Sequence, residues 1–148
     1  MKILVVDDAP YMIKVLKDIL VACGHEVHEA VTGEEALIRY SDIKPEVVLM
    51  DILMPSMDGV SAIRKILEQS PLAKMVVITA VGKTGLEKEC LEAGARKFIS
   101  KPFKIKELVS VINSVEDMLD TSRLEPMKFK IQRTRMRIEE IARNAQRN

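Results

Sequence analysis

The chain reads as an α/β protein: one doubly wound domain on a five-stranded parallel sheet, with helices on both faces and a C-terminal basic helical extension. Three observations carry that expectation. Short β-rich runs recur at "KILVV" (2–6), "EVHEA" (26–30), "VVLM" (47–50), "MVVIT" (75–79) and "KFIS" (97–100), each followed by a helix-length segment. Strands that alternate with helices pair in parallel, because every crossover helix returns the chain to the same end of the sheet. A length of 148 residues at 47% hydrophobic content supports one such core and not two. The charge is also divided: residues 1–120 hold 15 Lys+Arg against 19 Asp+Glu, net −4, while 121–148 hold 8 against 3, net +5. A boundary is therefore expected near Asp120, between a 1–120 domain and a 121–148 basic amphipathic tail.

Each element has its own punctuation. After the first strand, Pro10 suits a first helical turn, and Ile13, Leu16, Leu20 and Cys23 follow at helical spacing until Gly24. Thr32 to Glu35 fits a capping box for a second helix. The third strand is uninterrupted "VVLM", as a strand buried on both faces should be, and it ends on Asp51. Pro55 and Asp58-Gly59 then turn the chain, and Asp58 can cap a third helix with Val60, Ile63 and Leu67 on one side. A fourth helix over 83–93 carries only Leu86, Cys90 and Leu91 before Gly94, which predicts weak anchoring and a moving part. A fifth over 104–119 has Ile105, Leu108, Val109, Ile112 and Met118 and should pack firmly at its start.

Cys23 and Cys90 are too few and too far apart for a zinc motif and are expected as small core residues. No apolar run approaches the roughly 18 residues that span a bilayer. Met1 leads almost directly into "ILVV", so the expectation is a cytoplasmic chain without membrane insertion.

In an open doubly wound sheet, ligands bind beyond the carboxyl ends of the strands. Those ends carry Asp7 and Asp8, Asp51, Thr79 and Lys101. Three converging carboxylates repel one another and call for a proton or a cation. A donor set of oxygens without His or Cys favours a hard ion such as Mg²⁺, which keeps waters and binds phosphate oxygens. Lys101 and Thr79 then have a use, holding the oxygens of a phosphoryl group in flight. Asp51, alone at the tip of the central apolar strand, is placed to act as nucleophile and form an aspartyl phosphate. Any one of these residues could be a helix cap or a solvated charge. Five of complementary type at the strand ends point to phosphoryl transfer.

Residues 1 to about 120 resemble the receiver domain of two-component response regulators, in plan the single-domain chemotaxis type. The matching pieces are "VVDDAP" (5–10), "DILMPSMDG" (51–59), "VVITA" (76–80) and "KFISKPF" (97–103). The resemblance implies a flavodoxin-like fold of strand order 2-1-3-4-5. It implies that Asp51 accepts phosphate from a sensor histidine kinase, and that Asp8, Asp51 and the backbone carbonyl of Leu53 bind Mg²⁺ with help from Asp7. Lys101 would pair with the phosphoryl group, Thr79 would be drawn towards it, and Phe98 would rotate inward as an aromatic switch. The face of helix 4, strand 5 and helix 5 would then change its affinity for a downstream protein target or a second copy. Lys101-Pro102 is often cis in the family, and Ala80 matches the usual need for room. Apolar Leu53 and Val81 predict slow loss of the phosphoryl group. The protein would catalyse only its own phosphotransfer and dephosphorylation.

Two other classes compete with this reading. A Mg²⁺-dependent aspartyl phosphatase of the haloacid dehalogenase type needs a second Asp two residues after the nucleophile, where this chain has Leu53. His25 and His28, three apart on a strand, face opposite ways and make a poor metal pair. Met54 and Met57 read as packing or partner-contact groups. In the tail, Pro126 suits the first turn of a helix capped by Glu125 or Ser122. Leu124, Met127, Ile131, Ile138, Ile141 and Ala145 keep a 3-4 spacing broken by Thr134, with Arg133, Arg135, Arg137 and Arg143 on the other faces. The plainest reading is an amphipathic extension. Self-association or partner docking comes next, and a transcriptional regulator whose tail contacts nucleic acid comes last, since the segment is too short for a helix-turn-helix domain.

Overall fold

A computed structural model describes residues 1–54, 58–80, 86–117 and 121–146, with the backbone alone for 117, 121–132 and 146. The chain divides into two compact units, Met1–Asp117 and Met118–Asn148. In the first, strands β1 (Lys2–Val6), β2 (Glu26–Ala30), β3 (Val47–Met50), β4 (Lys74–Thr79) and β5 (Lys97–Ser100) alternate with helices α1 (Pro10–Ala22), α2 (Gly33–Ile43), α3 (Gly59–Gln69), α4 (Leu86–Ala93) and α5 (Ile105–Asp117). The five strands are parallel in the order β2-β1-β3-β4-β5. This is the doubly wound, flavodoxin-like sheet that the sequence predicts.

Side-chain alternation along the central strands splits the core into two layers. Leu4, Val6, Val48, Met50, Met75 and Val77 pack on one face with α2, α3 and α4; Ile3, Val5, Val47, Leu49, Val76 and Ile78 pack on the other with α1 and α5. Because both faces are covered, β1, β3 and β4 are apolar almost throughout, and their polar residues are confined to the ends.

The helix starts follow the local chemistry. Pro10 opens α1. Thr32 Oγ1 accepts from the Glu35 N–H at 3.0 Å, and Glu35 Oε2 reaches back to the Val31 N–H at 3.2 Å, one residue ahead of the usual capping-box partner. Asp58 Oδ1 accepts from the Ser61 N–H at 2.7 Å and starts α3.

The structure corrects three expectations within this unit or the next. Cys23 is exposed, because α1 ends at Ala22 and Cys23 is its C-cap, off the stripe of Ile13, Leu16 and Leu20; Cys90 alone is buried. The start of α5 is not its firm end. Leu108, Ile112 and Val115 are buried against the sheet, but Ile105 is 61% exposed. At about 100° per residue Ile105 sits roughly 60° around from Leu108, on the edge of the stripe. Helix α6 spans Thr121–Gln146, so Pro126 lies in its second turn and does not open it. The thin anchoring of α4 is as expected: Cys90 is its one buried residue, with Leu86 partly buried and Leu91 exposed. Pro55, Met57, Val81, residues 83–85 and Met118 lie outside the described residues, as do the side chains of Leu124, Met127 and Ile131.

Candidate functional site

The carboxyl ends of β1, β3, β4 and β5 meet at one edge, and chain connectivity fixes what projects there. Asp51 follows β3 directly. Its backbone N–H continues the ladder to the Val6 carbonyl at 2.9 Å, so the residue is held as a strand residue although its side chain leaves the sheet. The carboxylate is then clamped: Oδ1 accepts from the Leu53 N–H at 3.0 Å, and Oδ2 from the Lys101 ammonium at 3.3 Å. Asp7 is held in the same way, with its N–H on the Ala30 carbonyl at 3.1 Å and Oδ1 accepting from the Ala9 N–H at 2.9 Å. Lys101 Nζ donates to Asp7 Oδ2 at 2.6 Å and so bridges two strand ends. Asp8, the next residue, is exposed.

Two ionised groups this deep need compensation. Asp51 is only 6% exposed and Asp7 is buried, and the Lys101 ammonium supplies one positive charge for the pair. For Asp51 it is not enough. Burial pushes its carboxyl above the ordinary range and Asp7 adds to the rise, against the opposing pull of the Leu53 N–H and the Lys101 charge.

Asp7, Asp8 and Asp51 each offer one oxygen, and the three atoms lie within 4.8 Å of one another. An oxygen-only, acid-rich donor set fits a small hard cation. Among the described residues neither His25 nor His28 joins it. His25 Nδ1 lies 3.2 Å from the Met1 amino group, and His28 Nε2 lies 3.2 Å from Glu26 Oε1.

Thr79 ends β4 fully buried, and its Oγ1 has no hydrogen-bond partner among the described residues. A buried hydroxyl without a partner costs about 1–3 kcal/mol. The sequence reading passed over Ser100, whose Oγ is also unpaired and which stands opposite Thr79 in the β4–β5 register. That register, with a hydroxyl residue closing each strand, is the signal that could have found it. Phe98, also on β5, is half-buried against the core layer that includes Val77 and Cys90. The Lys101-Pro102 peptide is cis.

The sequence model of the response regulator receiver domain matches residues 3–113. The chain belongs to this family. It is a phosphorylation-dependent response regulator of two-component signalling. The receiver is 44% identical over 115 residues to the chemotaxis protein CheY of Thermotoga maritima, a match that covers 77% of this chain and 96% of the relative. It is 40% identical over 113 residues to CheY of Bacillus subtilis, covering 76% and 94%. Among solved structures, the receiver resembles CheY in the CheX-CheY-BeF3-Mg complex of Borrelia burgdorferi, with a TM-score of 0.75 and 36% identity over 78% of this chain and 88% of that one. It also resembles the response regulator TrrA of Thermotoga maritima bound to Mg²⁺ and BeF, with a TM-score of 0.71 and 31% identity over 77% and 97%. Receiver domains bind Mg²⁺ at an acidic pocket of the kind that Asp7, Asp8 and Asp51 form here. No described helix is long and apolar enough to cross a membrane.

Proposed function

We propose that Asp51 is the phosphoacceptor of this receiver. The observation that carries the reading is the clamp on its carboxylate: Leu53 N–H on one oxygen, the Lys101 ammonium on the other, and an unpaired Thr79 hydroxyl closing the neighbouring strand. The donor is the phosphohistidine of a sensor kinase. A carboxylate oxygen of Asp51 forms a bond to phosphorus as the P–N bond breaks; the electron pair of that bond stays on the ring nitrogen, and the imidazole, already protonated at its other nitrogen, leaves neutral. Orientation is set by the Leu53 N–H, which limits the rotation of the nucleophile. Lys101, already 3.3 Å from Asp51, pairs with an oxygen of the transferred group. Thr79 donates its hydroxyl to a second oxygen and moves towards it.

Asp8, Asp51 and the backbone carbonyl of Leu53, helped by Asp7, are the residues that would hold Mg²⁺. When bound, the ion neutralises the carboxylates and the developing charge on the phosphoryl oxygens. The movement of Thr79 frees space under β5 into which Phe98 turns, and the face of α4, β5 and α5 changes its affinity for a downstream protein. Thin anchoring of α4 by Cys90 supports its role as the part that moves. The reading places the protein in the cytoplasm. It includes slow self-dephosphorylation, because the side chain next to the metal carbonyl, Leu53, is apolar.

The test is intact mass after incubation with Mg²⁺ and acetyl phosphate. Wild type should gain one phosphoryl mass and Asp51→Asn none. A gain in both proteins, or in neither, would remove Asp51 from the role.

A further inference from the structure

We propose that α6 is a docking helix for an amphipathic partner helix with acidic flanks, carried by a different protein. The inference is independent of the phosphoacceptor reading. Helix α6 runs 26 residues without interruption, about 39 Å and more than three heptads, because it begins at Thr121 and not near Pro126. That length is enough for a paired coil.

The register is regular. With Ile131 and Ile138 at position a, position d falls on Met127, Thr134 and Ile141, and position a continues to Leu124 and Ala145. On the described part of this seam, Ile138 and Ile141 are each 61% exposed. The e and g positions that border the seam are Arg123, Lys128, Lys130, Arg135 and Arg137, followed by neutral Ala142 and Asn144. Every charge beside the seam is positive. The three glutamates of the helix, Glu125, Glu139 and Glu140, fall at b and c, away from it. Arg135 does approach Glu139 at 3.8 Å along the helix, but both side chains are exposed, so that pairing is weak and leaves Arg135 available.

Charge then selects the occupant. In a parallel pair of α6 helices, g of one chain faces the next e of the other, which sets Arg123 against Lys128 and Lys130 against Arg135. In an antiparallel pair, g faces g and e faces e, again cation against cation. A second copy is disfavoured in both orientations, and a helix with Glu or Asp at e and g is complementary in both. An anionic lipid surface fits less well. The seam is two positions in seven, is interrupted by Thr134, and has another exposed apolar residue, Met136, on the far side at f.

The experiment uses the full chain and two labelled synthetic helices of about four heptads, with the same Ile/Leu seam and either Glu or Lys at every e and g. Fluorescence anisotropy should show the Glu helix binding at least about tenfold more tightly than the Lys helix, with the preference fading at high salt. Ile138→Asn with Ile141→Asn should abolish binding, and Arg135→Glu with Arg137→Glu should shift the preference towards the Lys helix. These substitutions are on exposed positions of α6, and circular dichroism checks that the helix persists. Four outcomes would overturn the proposal: equal binding of the two peptides; binding of neither; tighter capture by duplex DNA or by phosphatidylcholine vesicles with about one third phosphatidylserine; or a stable dimer of the chain alone in sedimentation.

Discussion

Burial is the largest influence on the Asp51 carboxyl and raises its pKa, so the folded protein holds this group less readily as an anion than the unfolded chain does. A raised folded value gives a stability contribution that is complete below the unfolded pKa and is lost as pH rises through the folded one. At neutral pH the charge therefore costs stability. Asp51→Asn, in chelator, should raise the unfolding free energy near pH 7. The gain should vanish near pH 4, where the wild-type group is itself becoming neutral. An equal gain at both pH values would assign the effect to packing. Thr79 makes a parallel case without charge. Its hydroxyl is buried and has no partner among the described residues, so Thr79→Val, nearly isosteric, should be neutral or stabilising by up to about 1 kcal/mol. Thermal unfolding reads this directly, and a clear loss of stability would reveal a partner for the hydroxyl. Sequence alone located both residues at strand ends. It could not reveal that one is a buried carboxylate with a raised pKa and that the other has no partner among the described residues.

Helices α3 and α4 differ in how they are held, and the difference can be measured. Five residues of α3 are buried, and its start is locked: the Gly59 N–H donates to the Ile52 carbonyl at 3.1 Å, and a Cβ on Gly59 would stand 2.5 Å from the Asp51 carbonyl oxygen. Gly59→Ala must displace backbone on one side or the other. It should cost roughly 2–4 kcal/mol and slow phosphoryl uptake by moving Asp51. A variant of wild-type stability would mean that the loop can absorb the methyl group. By contrast α4 buries Cys90 alone. Its amides should exchange with solvent through local opening, with protection well below that of α1 or α5. Protection equal to that of α1 would contradict its part as the mobile element.

At the scale of the whole molecule, cation binding at the acidic edge should couple to folding. If Mg²⁺ binds the native site and not the unfolded chain, unfolding at about 100 times the dissociation constant should be harder by about 2.7 kcal/mol, and Asp51→Asn should lose most of that increment. The same midpoint with and without Mg²⁺ would argue against a site there. The architecture was legible because its two signals are robust: β-rich runs spaced by helix-length segments, and polar residues restricted to the ends of apolar strands. Cys23 and Ile105 misled for a shared reason. Each is apolar and near the right spacing, but one falls past the last helical turn and the other on the edge of the buried stripe. Spacing sets an angle and does not say where the helix stops. Pro126 misled in the opposite direction, since a proline that suits a first turn does not forbid the backbone from becoming helical before it. Ser100 was hidden because only the β4–β5 register sets it beside Thr79.

The close approach at Gly59 bears on how Asp51 is placed. The corner that joins the end of β3 to the start of α3 is tied by main-chain atoms of Ile52 and Gly59, with Asp58 capping the helix. The position of Asp51, the proposed nucleophile, is thus held by main-chain atoms and one glycine, and it does not rest on the side chain of Leu53, which is exposed. A different side chain at Leu53 could therefore change the proposed phosphoryl lifetime and leave the position of Asp51 as it is.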